Sequence, residues 1–397
     1  MSCNPSVRAG LKLVRIRNHA ARFALAAKKS SVAGLRCFTP LPRLVSWLGC
    51  AVLVSAAWMP SGQAAETLLP MKPAMTWKSL APLPDREGFA SPFVGVAGGA
   101  LLVAGGANFP EKRPWEGGTK IWSDRVYALA TPEGSWVEAG RLPRANAYGV
   151  AVSTSAGIIC AGGGDAKENF RDVGLMTWDG QTLGRRALPP LPRACAFGSG
   201  ALVGNIFYLA GGIEKPDATT ALATFWALDV TKPEAGWREL PVWPGAERML
   251  AVAGATADTF YLFGGVALSA GADGKAQRKI LRDAYAYHAV QGWTKLADLP
   301  RAATAAPSPA PLTADGKLLV ISGDDGLRAH LTGPDHPGFP SDVWAYDPKT
   351  KAWSAAGDAP ISRATVPTVA WRGGWIIASG ERKPGYRSPE TWWMSAP

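Results

Sequence analysis

The stretch LPRACAFGSGALVGNIFYLAGG, residues 191–212, contains the plan of the whole chain. A Pro–Arg turn (Pro192, Arg193) opens it, two apolar strands follow, and Gly211 and Gly212 end the second strand where the backbone must turn tightly. The same order returns about every 50–58 residues. The second-strand endings are Gly105-Gly106, Gly162-Gly163, Gly211-Gly212, Gly264-Gly265, Gly323 and Gly380. After each ending a variable loop leads to a strand carrying an aromatic: Tyr127, Trp178, Trp226, Tyr285 or Tyr287, Trp344, and Trp392 or Trp393. A short turn and a fourth strand complete the unit, marked by Trp136, Trp237, Trp293 and Trp353; the second unit has no clear counterpart.

One such unit cannot bury both of its faces, so the units must stack, with the aromatics filling the space between neighbours. The sixth unit runs out after its third strand. The segment Thr76-Trp77-Lys78-Ser79-Leu80, ahead of the first unit, supplies a fourth. An open ring would leave strand edges unpaired, and pairing the two ends removes them. The expectation is an all-β, six-bladed propeller over residues 66–397, its last blade closed by the N-terminal strand.

Composition agrees with many short strands and tight turns: 45 Gly, 33 Pro and 17 Trp in 397 residues, with only 18% charged. The formal charge of +11 suggests a polyanion partner, but its placement says otherwise. Nine Lys/Arg and no Asp or Glu lie in residues 1–65, and the remaining 33 basic and 31 acidic residues leave only +2. No nucleic-acid footprint remains in the body of the chain. Residues 1–65 read instead as an export leader. Basic residues precede the apolar run 44–57, and small residues at Gly62-Gln63-Ala64-Ala65 offer a cleavage site before Glu66. The apolar run is short for a membrane span. A membrane anchor or a mitochondrial-type presequence is the competing reading, and periplasmic or secreted location is the expectation. Of five cysteines only Cys160 and Cys195 lie beyond the leader. Both sit in apolar strand patterns, as unpaired buried thiols would.

Over residues 76–397 the repeats resemble kelch repeats. Two local motifs narrow the resemblance. Gly380-Glu381-Arg382-Lys383-Pro384-Gly385-Tyr386-Arg387-Ser388 resembles the G-E-x-K-P-G-x-R-[ST] stretch of bacterial N-acetylneuraminate epimerases, the sialic acid mutarotases. Residues 105–118, GGANFPEKRPWEGG, resemble the first-blade loop of a cyclically permuted branch of that family. The permutation agrees with the Glu/Arg motif standing near the C-terminus. The resemblance implies a kelch propeller that interconverts the anomers of a sialic-acid-class sugar acid, a small-molecule substrate. Opening and reclosing a cyclic hemiketal needs a base for the anomeric hydroxyl and an acid for the ring oxygen, and no metal or redox cofactor. Glu381, at the end of the apolar strand 375–379, is the expected catalytic base. Arg387 is expected to grip the sugar's carboxylate through its planar fork.

Other residues qualify as sugar contacts. Each unit opens with an arginine, Arg86, Arg144, Arg193, Arg248, Arg301 or Arg363, and equivalent positions in a closed ring converge on the axis. Several are expected at the channel mouth; the alternative is that each braces its own turn. Asn108, Trp115 and Glu116, in the first-blade loop, are further candidates to cover or hydrogen-bond a sugar. Copper chemistry of the galactose-oxidase type would need imidazole and phenol ligands. Only His288, His330 and His336 lie beyond the leader, and no Cys stands beside a candidate radical tyrosine. The fifth-blade loop with Asp324, Asp325, Asp335, His330 and His336 is the one place a metal would find ligands, and no metal site is expected. No Gly-rich phosphate loop opens a helix, and no serine has a nucleophile-elbow setting. A non-catalytic periplasmic propeller binding a glycan or protein remains the alternative to an enzyme.

Overall fold

The computed structural model describes residues 75–331 and 333–395; the expected leader lies outside them. Those residues form a six-bladed β-propeller, as the repeats predict. Blades one to four follow in chain order, each an antiparallel meander running from the inner strand outward. In blade one the strands are Phe93–Ala97, Ala100–Ala104, Arg125–Leu129 and Val137–Arg141. Blade six holds Thr368–Trp371, Gly374–Ala378 and Thr391–Met394, and its outermost strand is Trp77–Leu80. The register of closure runs from Trp77 opposite Met394 to Leu80 opposite Thr391.

Blade five departs from the expected pattern. Only Leu318–Ile321, Asp342–Asp347 and Ala352–Asp358 form its sheet. The segment that would be its inner strand carries Pro307, Pro309 and Pro311, which have no N–H to give to a ladder. It stays in place through single bonds, Leu319 N–H to the Pro311 carbonyl (2.9 Å) and Ala310 N–H to the Ala253 carbonyl (2.7 Å).

Six apolar cores fill the six seams between blades. The seam of blades three and four packs Tyr208, Phe225, Phe260 and Tyr287 together, with Tyr208 and Phe225 stacked at 5.2 Å. The closing seam joins Leu80, Trp371 and Ile376 of blade six to Val103, Tyr127 and Trp136 of blade one. The fourth-strand tryptophans also tie blades by hydrogen bonds. Trp136, Trp293 and Trp353 donate their indole N–H to the carbonyls of Ala81, Pro241 and Ala297, each just past the outer strand of the preceding blade. Cys160 and Cys195 are unbonded thiols, Cys195 fully buried. No helix among the described residues is long and apolar enough to cross a membrane.

Around the axis the backbone makes a closed ring. Ser91, Tyr148, Phe197, Leu250, Ala305 and Thr365, one per blade, all take a left-handed backbone conformation with φ between 42° and 67°. Each donates its N–H to the carbonyl of the corresponding residue one blade earlier, from Tyr148 to Ser91 (3.0 Å) round to Ser91 to Thr365 (2.6 Å). The residue before each ring member forms an isolated bridge to the residue that follows the glycine turn: Ala90 to Ala107, Ala147 to Gly164, Ala196 to Ile213, Met249 to Val266, Thr304 to Asp324 and Ala364 to Glu381. These two sets of bonds satisfy backbone groups that a ladder leaves unpaired and fix the mouth of the propeller.

Candidate active site

The sixfold set that includes Glu381 is chemically uneven. Its members are Ala107, Gly164, Ile213, Val266, Asp324 and Glu381. Four are apolar or have no side chain, and only blades five and six contribute carboxylates. The ring residues show the same polarity. Tyr148 and Phe197, stacked at 4.3 Å, and Leu250 are apolar or aromatic, whereas Ser91 of blade one and Thr365 of blade six carry hydroxyls. The mouth is therefore polar in one sector and aromatic in the other. The axial cavity is lined by the ring and the starts of the inner strands, and holds roughly 70 Å³. That is far below the roughly 300–1,000 Å³ of small-molecule pockets, so a sugar has room at the mouth rather than inside.

Glu381 stands at that mouth because the chain is forced to turn just before it. Gly380 has φ 95°, and a side chain there would meet Val366 at 2.8 Å. Ser379, where the first four blades have the first glycine of the pair and blade five has Ser322, also has positive φ (75°) and is fully buried. Its hydroxyl accepts the Phe89 N–H at 2.6 Å and donates to the Ser388 carbonyl at 2.8 Å, holding the strained turn in place. A short hairpin follows, Glu381–Lys383 paired with Tyr386–Arg387, in which Glu381 faces Arg387.

The Glu381 carboxylate is gripped from two sides. Oε1 forms an ion pair with Nη1 of Arg387, and Oε2 accepts the Thr365 hydroxyl at 2.8 Å. Its side chain is 16% exposed and that of Arg387 only 4%. Arg387 also gives its Nε–H to the Ala107 carbonyl (3.3 Å) and lies over the Phe109 ring at 5.2 Å. The expected pair is thus brought together, but Arg387 is already engaged within the chain.

The six turn arginines behave mainly as braces, and none lines the axial cavity. Arg248, Arg301 and Arg363 reach an acidic residue within or beside the third strand of their own blade: Asp283, Asp342 and Glu390. Arg248 and Arg363 are almost fully buried, and Arg248 also bonds the Gly264 and Ala246 carbonyls. The aromatic two residues on completes each clamp, with the Tyr285 hydroxyl on Asp283 (2.8 Å) and the Trp344 indole on Asp342 (2.7 Å). Arg144 pairs with Asp172 and Glu168 and lies over Phe170, and Arg193 pairs with Glu214; both are exposed. Arg86 is exposed and has no carboxylate partner among the described residues. For Arg248, Arg301 and Arg363 alone the partner stands two positions before an aromatic of the third strand, Tyr285, Trp344 or Trp392.

In the first-blade loop, Asn108 is buried and donates to Asp85 (3.2 Å), and Glu116 accepts the Arg113 N–H (2.9 Å). Asn108 is thus closed to a ligand by its burial, whereas Glu116 is exposed. Trp115, 37% exposed, leans on Tyr386 of the Glu381 hairpin at 5.1 Å. Arg113, bridged to Glu87, lies over the same tyrosine. The first-blade and sixth-blade loops that carry the two motifs are therefore in contact. In the fifth-blade loop His336 is buried with Nδ1 accepting the Gly338 N–H (3.1 Å), and His330 is exposed.

Fold and site together define a six-bladed propeller with one buttressed carboxylate at its axial mouth. Comparison with known proteins makes the definition specific. The family described as N-acetylneuraminate epimerase matches residues 61–184 and 188–329, and the chain belongs to that family. The matched segments end before the Glu381 hairpin. N-acetylneuraminate epimerase of Brucella suis is 37% identical over 126 residues, 28% of this chain and 32% of the relative. That of Haemophilus influenzae is 28% identical over 229 residues, 51% of this chain and 58% of the relative. The matches span less than two thirds of these relatives' own length. The solved structure of YjhT superposes with a TM-score of 0.59 at 15% identity, covering 79% of this chain and 95% of that one. At that identity the likeness speaks to the fold alone.

Proposed function

We propose that the protein is an isomerase that interconverts the α and β anomers of N-acetylneuraminate or a related sugar acid. The observation that carries this reading is the Glu381 carboxylate, fixed by Arg387 and Thr365 at the axial mouth. Glu381 takes the proton of the anomeric hydroxyl as the ring C–O bond breaks, and the ring oxygen takes a proton from water on the other side. The open-chain keto acid turns its other carbonyl face to the same oxygen, and the transfers run in reverse. Atoms and electrons balance without a cofactor. Holding the carboxylate in one orientation keeps it in reach of the hydroxyl throughout.

Arg387 is a positioning residue in this scheme, since its Nη1 and Nε are given to Glu381 and Ala107. In this reading Trp115, which leans on Tyr386 at 5.1 Å, covers the sugar with it, and Arg86 is a further sugar contact. The family's name supplies the choice of sugar. Proton NMR of freshly dissolved N-acetylneuraminate tests the reading. The anomer signals should reach equilibrium faster with the protein than without it, and equal rates would leave a binding module instead.

A further inference from the structure

We propose that Lys120 is the cation that recognises the substrate's carboxylate, and so sets the preference for sugar acids over neutral sugars. The inference rests on the proposed anomerase reading and adds to it a residue that neither motif singled out. A sugar acid brings a negative charge to a mouth where Glu381 already carries one. Arg387 cannot balance both, because it is ion-paired with Glu381 and bonded to the Ala107 carbonyl. A second anion placed there without a positive partner is costly, so another cation must face the mouth.

Lys120 meets the requirement. Its ammonium lies within 6 Å of three ring centroids: Tyr148 at 5.4 Å, Trp122 at 5.5 Å and Phe109 at 5.9 Å. Tyr148 belongs to the axial ring and lines the cavity, and Phe109 carries the Arg387 guanidinium on the same ring at 5.2 Å. Lys120 therefore shares Phe109 with the catalytic ion pair and touches the ring itself. Among the described residues no carboxylate pairs with it, so its charge is free for a ligand. The three rings attract the ammonium without neutralising its charge. The other cations near the site are differently placed. Arg113 is bridged to Glu87, Lys383 gives its Nζ to the Pro334 carbonyl at 3.2 Å, and Arg382 and Lys383 lie over Tyr386 and not over Tyr148 or Phe109. Arg86 has no contact with the ring residues that compares with that of Lys120 on Tyr148.

Lys120→Met removes the charge and keeps an apolar side chain for the three rings to pack on. The test is an NMR titration of the parent, Lys120→Met and Lys120→Arg with N-acetylneuraminate and with its uncharged methyl ester, run beside the anomerisation assay. The parent should bind the acid more tightly than the ester. Lys120→Met should weaken the acid about tenfold or more and leave the ester unchanged, and Lys120→Arg should recover most of the loss. The proposal is overturned if Lys120→Met binds the acid as the parent does, if acid and ester weaken equally, or if the parent shows no preference for the acid. A parent that prefers the acid but does not speed anomerisation defeats the enzymatic reading alone, and the Lys120 comparison is then read from binding.

Discussion

Ser91 of the first blade donates its N–H to the carbonyl of Thr365 of the sixth at 2.6 Å, closing a ring of six backbone hydrogen bonds around the axis. Thr365 is also the residue whose hydroxyl holds the Glu381 carboxylate. Closure of the propeller and placement of the proposed base therefore share one residue, and whatever opens the ring should disturb the site.

Truncation tests that link. Removing residues 66–82 takes away Trp77–Leu80, exposes the Thr391–Met394 edge, and uncovers Trp371 and Ile376 in the closing seam. Loss of a buried Trp alone costs about 3–5 kcal/mol. Trp77 is only half-buried, but its whole strand goes with it, and the total approaches a domain's net stability. The melting temperature should fall by well over ten degrees; a fall of a few degrees would contradict the closure.

The blade clamps make stability sensitive to acid. Burial pushes the carboxyls of Asp283, Asp342 and Glu390 up. The hydrogen bonds and charge of Arg248, Arg301 and Arg363 outweigh it, so all three sit below their ordinary values. Groups depressed in the folded state contribute fully above their unfolded values, about 3.9 for Asp and 4.3 for Glu, and lose that contribution as pH falls through the folded ones. Thermal stability should be nearly level from pH 7 to 5 and drop steeply below about pH 4. Asp283→Ala strands the buried Arg248. It should cost toward the lower end of the roughly 3–5 kcal/mol for breaking a buried pair, since Asp283 is partly exposed. Denaturant unfolding across this pH range checks both.

Ser379→Ala should be damaging although it removes a single oxygen. The buried Phe89 N–H would lose its acceptor, at about 1–3 kcal/mol. The hairpin that begins at Glu381 would loosen as well. Denaturant melts and anomerisation rates should fall together; loss of stability with full activity would show that the turn does not position Glu381.

The blade count, the closing strand and the Glu381–Arg387 pair were legible because each leaves a local mark: Gly-Gly endings, a spare Trp77 strand, and a nine-residue motif. The partners of the turn arginines were not, since Arg248 and Asp283 are 35 residues apart and meet only once the blade folds. The fault in blade five was visible as Pro307, Pro309 and Pro311, yet its effect depends on which carbonyls lie opposite. Lys120 carries no motif at all. It matters through Tyr148 and Phe109, which only the closed ring brings to one place.

The reading of residues 1–65 as an export leader predicts that protein recovered from a bacterial host begins near Ala65 or Glu66. N-terminal sequencing decides it, and soluble protein retaining residues 1–60 would contradict the leader.

Glu381→Gln keeps the size of the side chain and one acceptor oxygen, but removes its basicity and the charge that pairs with Arg387. Proton NMR of N-acetylneuraminate anomerisation by this variant and the parent isolates that difference. The parent should speed equilibration, and the variant should bind the sugar nearly as well while losing about 10²–10⁴-fold of the catalysed rate. A variant as fast as the parent would show that Glu381 is not the base.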